Sequence, residues 1–224
     1  MWRWIPLLLL SVLLLVSCTI DNTIPNVDTE KTATLPGKVD NSEEESNEES
    51  VEQTETDLSQ FFLPDKTTAY FKGDGIEFST YTSRTEWLGD HHVNVFEDNG
   101  GVELVTSYRL EDDTIVVLQE VPKETEIYTV TIEELDKMQP IRDYLTFPLE
   151  VGTVIDKWTV VSISEELDTP LQFFSNVIVL EQQYEEEAFS RSYFAVGFGE
   201  IKREYIAKEN GNIFEVTSVI ESIE

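Results

Sequence analysis

Residues 58–224 read as a mainly β domain: a curved antiparallel sheet or partly open β-barrel with one short covering helix. Three observations lead there. Short segments rich in β-branched and aromatic residues recur along this stretch, and such side chains suit a pleated, half-buried surface. Turn residues separate them at hairpin spacing, Asp98-Asn99-Gly100-Gly101 and Glu209-Asn210-Gly211-Asn212 above all, where Asn-Gly supplies the positive φ of a tight turn. A capping-box pattern, Thr131-Ile132-Glu133-Glu134, interrupts the strands.

Taken in chain order, residues 69–72 and 76–81 are the first expected strands. Residues 92–96 and 102–108 then form the clearest hairpin, and Glu111-Asp112-Asp113 turns into a strand over 114–118. A short helix begins at Thr131, with Ile132, Leu135 and Met138 on one face and Pro140 limiting its continuation. That apolar stripe needs a sheet face to cover. Strands over 157–163, 176–182, 192–196, 202–207 and 214–220 bring the total to about ten.

Tyr70-Phe71 followed by Gly73-Asp74-Gly75 is echoed by Tyr193-Phe194 followed by Gly197-Phe198-Gly199. Two related halves and chance recurrence both account for the echo. Neither Gly-x-Gly has the third glycine and following helix of a dinucleotide site, so glycines at bulges or bends are expected.

The N-terminus carries different information. Arg3 precedes an apolar run from Ile5 to Val16, the outline of a signal peptide. As a helix this run reaches about 18 Å, short of the ~30 Å hydrocarbon core. It ends in Leu15-Val16-Ser17-Cys18, which resembles a bacterial lipobox. The resemblance implies that the Cys18 thiol receives a diacylglyceryl group and that a peptidase accepting Leu15 and Ser17 cuts before Cys18. Residues 1–17 are then a lipoprotein signal peptide and Cys18, the single cysteine, is the site of lipidation. Two acyl chains hold a protein on a membrane without a basic patch, and none follows Cys18. The expected location is the cell membrane, lipid-anchored on its extracytoplasmic face.

Residues 18–57 join anchor to domain. Between Thr19 and Asp57 no aromatic residue occurs, and twelve acidic residues stand against Lys31 and Lys38. Such a segment cannot bury enough apolar area to offset its chain entropy, so a disordered acidic tether is expected. Its Glu43 to Glu49 run lacks the Asp/Asn and Gly pattern of a calcium loop.

The folded region also resembles a family of uncharacterised surface lipoproteins from Bacillus-like Gram-positive bacteria. The likeness is carried by Gly73-Asp74-Gly75-Ile76-Glu77-Phe78, Trp87-Leu88, Glu97-Asp98-Asn99-Gly100-Gly101 and Gly197-Phe198-Gly199-Glu200-Ile201-Lys202-Arg203-Glu204. It implies a surface lipoprotein and carries no functional residues over.

Charge narrows the function classes. A formal net charge of -30 repels phosphate backbones, so no nucleic-acid partner is expected. His91-His92 are the only histidines; on a strand they point to opposite faces, so no metal site is expected and the pair is read as exposed near a turn. Without Gly-x-Ser-x-Gly or a free thiol, and with 45 acidic residues making chance carboxylate pairs common, neither an enzyme nor a cofactor is expected. The remaining reading is a binding domain for an apolar small molecule or lipid, with Tyr70, Phe71, Phe78, Trp87, Trp158, Phe173, Phe174, Tyr193, Phe194 and Phe198 as lining or core residues. Its alternative is an interaction module for another envelope protein.

Overall fold

The computed structural model describes residues 56–123, 128–209 and 211–224. Leu15, Ser17, Cys18 and most of the tether lie outside the described residues. Among the described residues twelve strands form one antiparallel sheet: β1 (Thr68–Asp74), β2 (Tyr81–Leu88), β3 (His92–Asp98), β4 (Glu103–Glu111), β5 (Thr114–Pro122), β6 (Arg142–Thr146), β7 (Val154–Ile155), β8 (Trp158–Asp168), β9 (Phe173–Glu185), β10 (Ala188–Ala195), β11 (Gly199–Glu209) and β12 (Asn212–Ile223), with α1 (Ile132–Leu135) between β5 and β6. The order is β6-β5-β4-β3-β2-β1-β12-β11-β10-β9-β8-β7. Every neighbour is a sequence neighbour except β1 and β12, the first and last strands, which pair from Ala69↔Ile223 to Asp74↔Thr217. The sheet thus curls into a nearly closed barrel, with its unsealed seam in mid-chain between β6 and β7.

Hairpin chemistry sets the register. Asn99 Oδ1 accepts from the N–H groups of Gly101 and Val102, and Gly100 has φ +79°, so the β3–β4 turn is the positive-φ turn that Asn-Gly predicts. β5 shows why an unbroken apolar run can still be a strand. Ile115 and Val117 enter the main core, while Val116 and Leu118 pack under Leu135 of α1, so both faces are covered.

The helix begins as its capping box predicts, with Thr131 and Glu134 each bonded to the other's backbone N–H. It lasts four residues. Leu135 is fully buried and Met138 half-buried, but Ile132 is 43% exposed; a single turn brings only part of the expected stripe onto the sheet. Arg109 closes the other end by donating to the Leu135 and Met138 carbonyls at 3.3 and 3.2 Å, a cation at the negative pole of the turn.

Residues 76–81 are not the expected strand. Ile76 leads into a 3-10 turn over Glu77–Ser79, and β2 starts at Tyr81. The two strands of the echo both carry a bulge at their Tyr-Phe pair, between Tyr70 and Phe71 and between Tyr193 and Phe194. Of the glycines after them, Gly75 and Gly199 are required by close approach. A Cβ on Gly75 would lie 2.3 Å from the Glu215 carbonyl oxygen, and one on Gly199 would lie 2.5 Å from that of Phe61.

Candidate functional site

A plug of apolar side chains packs inside the barrel. There a 3-10 turn over Leu58–Phe61, capped by Asp57, lays Leu58, Phe61 and Phe62 among Val93, Tyr108, Ile115, Val117, Leu145, Ile178 and Phe194. Backbone and side chain lock this plug: Gly197 N–H donates to the Gln60 carbonyl at 2.7 Å, and Trp87 Nε1–H to the Leu63 carbonyl at 3.0 Å. The glycine at 199 lets β11 pass against it.

Beyond the plug lies a cavity of about 480 Å³, lined from every strand except β1 and β7. Its floor is aromatic: Tyr108, Tyr144, Trp158 and Phe194, the last edge-on to Tyr144 at 5.5 Å. Its rim is apolar and half-exposed, with Ile76 and Phe78 from the 3-10 turn facing Tyr184, Tyr205 and Val216. Tyr205 contacts Tyr184 and Phe214 along the β9–β12 side, centroids 6.0 and 6.3 Å apart.

Between floor and rim the lumen is charged. Arg203 of β11 reaches across to Glu97 of β3, Nη1 and Nη2 at 3.0 and 2.7 Å from its two carboxylate oxygens. Its Nε lies 2.9 Å from Glu200 Oε2, and Glu200 also accepts from Ser192 Oγ. The guanidinium rests over the Tyr81 ring, 4.6 Å from its centroid, a favourable cation–π placement. Burial alone would lower the Arg203 pKa, but the Glu200 and Glu97 charges and the Tyr81 group outweigh it and hold the pKa well above its usual value. Arg203 is enclosed by the barrel, yet 39% of its side chain is open to the cavity. A second pair, Arg142 Nη2 to Glu120 Oε2 at 3.1 Å, stands near β6.

Tyr81 is 6% exposed, stacks on Phe71 at 4.4 Å, and its hydroxyl has no hydrogen-bond partner among the described residues. Desolvation pushes its pKa well up, as it does for Tyr108 and Tyr144. These phenols are neutral donors at any physiological pH.

Of the aromatics singled out in the sequence, Phe78, Trp158 and Phe194 line the cavity. Phe71 packs beneath Tyr81, Trp87 secures the plug, and Phe174 meets Phe198 edge-on at 4.9 Å. Tyr193 is buried with its hydroxyl donating to Glu204, Tyr70 bonds Glu224 at the surface, and Phe173 is exposed. Sequence reasoning missed Tyr81, Tyr108 and Tyr144 and the whole charged belt. Segments 73–78, 97–101 and 197–204, distant in sequence, meet here through Ile76, Phe78, Glu97, Glu200 and Arg203.

The histidines lie elsewhere. His91 is exposed, but His92 is 4% exposed, correcting the expectation that both face solvent. It sits beneath the helical turn, Nε2 3.4 Å from Asp136 Oδ1. Burial lowers its pKa, opposed by the Asp136 carboxylate and reinforced by Arg109. Among the described residues no group of three or more His, Cys, Asp or Glu side chains is placed to hold a metal ion, and no helix is long and apolar enough to cross a membrane.

No protein-family model matches the chain, and no curated protein matches it in sequence. Two crystal structures are similar to it. One, from Bacteroides fragilis, is provisionally named an exported protein with a YmcC-like fold; it aligns with TM-score 0.46 and 12% identity over 74% of this chain and 99% of its own. The other, from Parabacteroides distasonis, is provisionally named a lipoprotein; it aligns with TM-score 0.48 and 11% identity over 75% of this chain and all of its own.

Proposed function

We propose that this protein is a lipoprotein anchored through Cys18 on the extracytoplasmic face of the cell membrane, and that its barrel binds an apolar small molecule or lipid without catalysis. The lumen cavity carries this reading. A cavity of about 480 Å³ falls within the ~300–1,000 Å³ of small-molecule sites, which combine apolar walls with a few convergent polar groups. Here aromatic floor and rim supply the walls, and the Glu97–Arg203–Glu200 belt supplies the polar groups. Placement of the anchor rests on Leu15, Ser17 and Cys18 and on the family resemblance.

Native mass spectrometry of the mature chain, recovered from a lipid-containing host, tests the reading. A stoichiometric small molecule, released on unfolding, is expected. A clean apo mass together with no uptake of a neutral hydrophobic probe would leave the second reading, an envelope-protein interaction module. That alternative is supported by the unsealed β6/β7 seam, where free strand edges lie beside exposed Ile141, Val151 and Val154.

A further inference from the structure

The belt inside the lumen has a sign. Resting on the ligand-binding reading above, we infer that the ligand is a cationic amphiphile, an aliphatic chain bearing an ammonium-like head, with the head beside Glu97 and Glu200 and the chain against the aromatic rim. Four carboxylates line the cavity, Glu97, Glu120, Glu200 and Glu204, against three guanidinium groups, Arg142, Arg191 and Arg203; Glu204 is paired with Lys202 at 2.6 Å and Arg191 chiefly with Glu181, so the excess negative charge rests on Glu97 and Glu200, which share Arg203.

Each of those guanidinium groups already has a carboxylate as its counter-charge. Arg203 spends Nε, Nη1 and Nη2 on Glu97 and Glu200, Arg142 is held by Glu120, and Arg191 lies 2.8 Å from Glu181 and 3.6 Å from Glu204. A fatty-acid carboxylate or a phosphate would enter a lumen whose positive charges are neutralised and whose carboxylates are in excess. The net charge of -30 deepens that repulsion.

A cation meets the opposite situation. Glu97 and Glu200 share one guanidinium, so the trio keeps one negative charge and unused carboxylate lone pairs. Inside a cavity walled by aromatic side chains, charge pairing is screened less than in water. The Tyr81 hydroxyl gives an independent sign of an unfilled site: a buried phenol beneath the Arg203 guanidinium without a partner of its own among the described residues, an arrangement that ordinarily costs free energy until something satisfies it. The rim of Ile76, Phe78, Tyr184 and Tyr205 lies outside the belt, so head inward and chain outward is the orientation that matches polarity to polarity.

Displacement of the neutral probe N-phenyl-1-naphthylamine from the mature chain, residues 18–224 made without acylation, decides the matter. Dodecylammonium is expected to displace the probe at least tenfold more tightly than dodecanoate, with one site per chain, and Glu97→Gln is expected to cut that preference at least fivefold. Adventitious adsorption of a cation to an acidic surface would instead show many sites and the same preference in Glu97→Gln; that result overturns the inference. Should Glu97→Gln fold poorly by circular dichroism, Glu200→Gln serves in its place, and the wild-type comparison stands alone: equal or tighter displacement by dodecanoate also overturns the inference while leaving a ligand-binding lumen intact. Failure of the probe to bind at all defeats the ligand-binding reading itself.

Discussion

Arg203 is the residue on which the lumen turns. Replacing it with Met leaves Glu97 and Glu200 without the charge they share, and breaking a buried pair from one side typically costs ~3–5 kcal/mol. Because the side chain is 39% open to the cavity, water screens part of that, and a loss of about 2 kcal/mol is expected in urea unfolding. His92 gives a pH-dependent counterpart. Burial lowers its pKa, so the unfolded chain binds a proton more readily than the folded one, and stability falls as pH drops below the ordinary imidazole value of about 6.5. The loss levels off once pH is below the folded value. The Tm difference between pH 7.5 and pH 5 should therefore be smaller in His92→Gln than in the parent. Little of this was legible in sequence. A histidine pair beside Asp90 reads as a turn, and the burial of His92 comes from a helix some forty residues further on.

At the scale of elements, local chemistry predicted best where it was self-contained. The Asn99-Gly100 turn and the Thr131 capping box each specify their geometry within four residues, and both form. Thr131→Ala should cost about 1 kcal/mol, and Leu135→Ala about 2–4 kcal/mol, because Leu135 is the one fully buried side chain the turn contributes to its cluster with Val116 and Leu118. Both are read from chemical unfolding curves; a neutral Leu135→Ala would mean that the turn is not docked. The expected strand at 76–81 failed because Ile76, Phe78 and Tyr81 look like strand residues, yet Ile76 and Phe78 stand half-exposed at the cavity rim. The true strand, Tyr81–Leu88, carries Thr82, Ser83, Arg84, Thr85 and Glu86, polar enough to hide its periodicity. Arg84 is polar but not wasted, since its guanidinium covers Phe96 at 4.2 Å on the neighbouring strand.

For the whole molecule, hairpin spacing was enough to predict a mainly β barrel, since ten of the eleven strand pairings among the described residues join sequence neighbours. Closure was not: pairing of β1 with β12 brings together residues about 150 apart, and no local pattern encodes it. The same distance hides the cavity. Glu97 and Arg203 stand 106 residues apart, and only the curl of the sheet makes them partners. Filling the lumen tests that account most directly. Thr106 lines the cavity without belonging to the charged belt, so Thr106→Trp occupies the space and leaves the plug and the belt residues in place. Calorimetric titration of N-phenyl-1-naphthylamine into the parent should show a single site, and into Thr106→Trp, folded by circular dichroism, none. Equal binding to both proteins would contradict a ligand site inside the barrel.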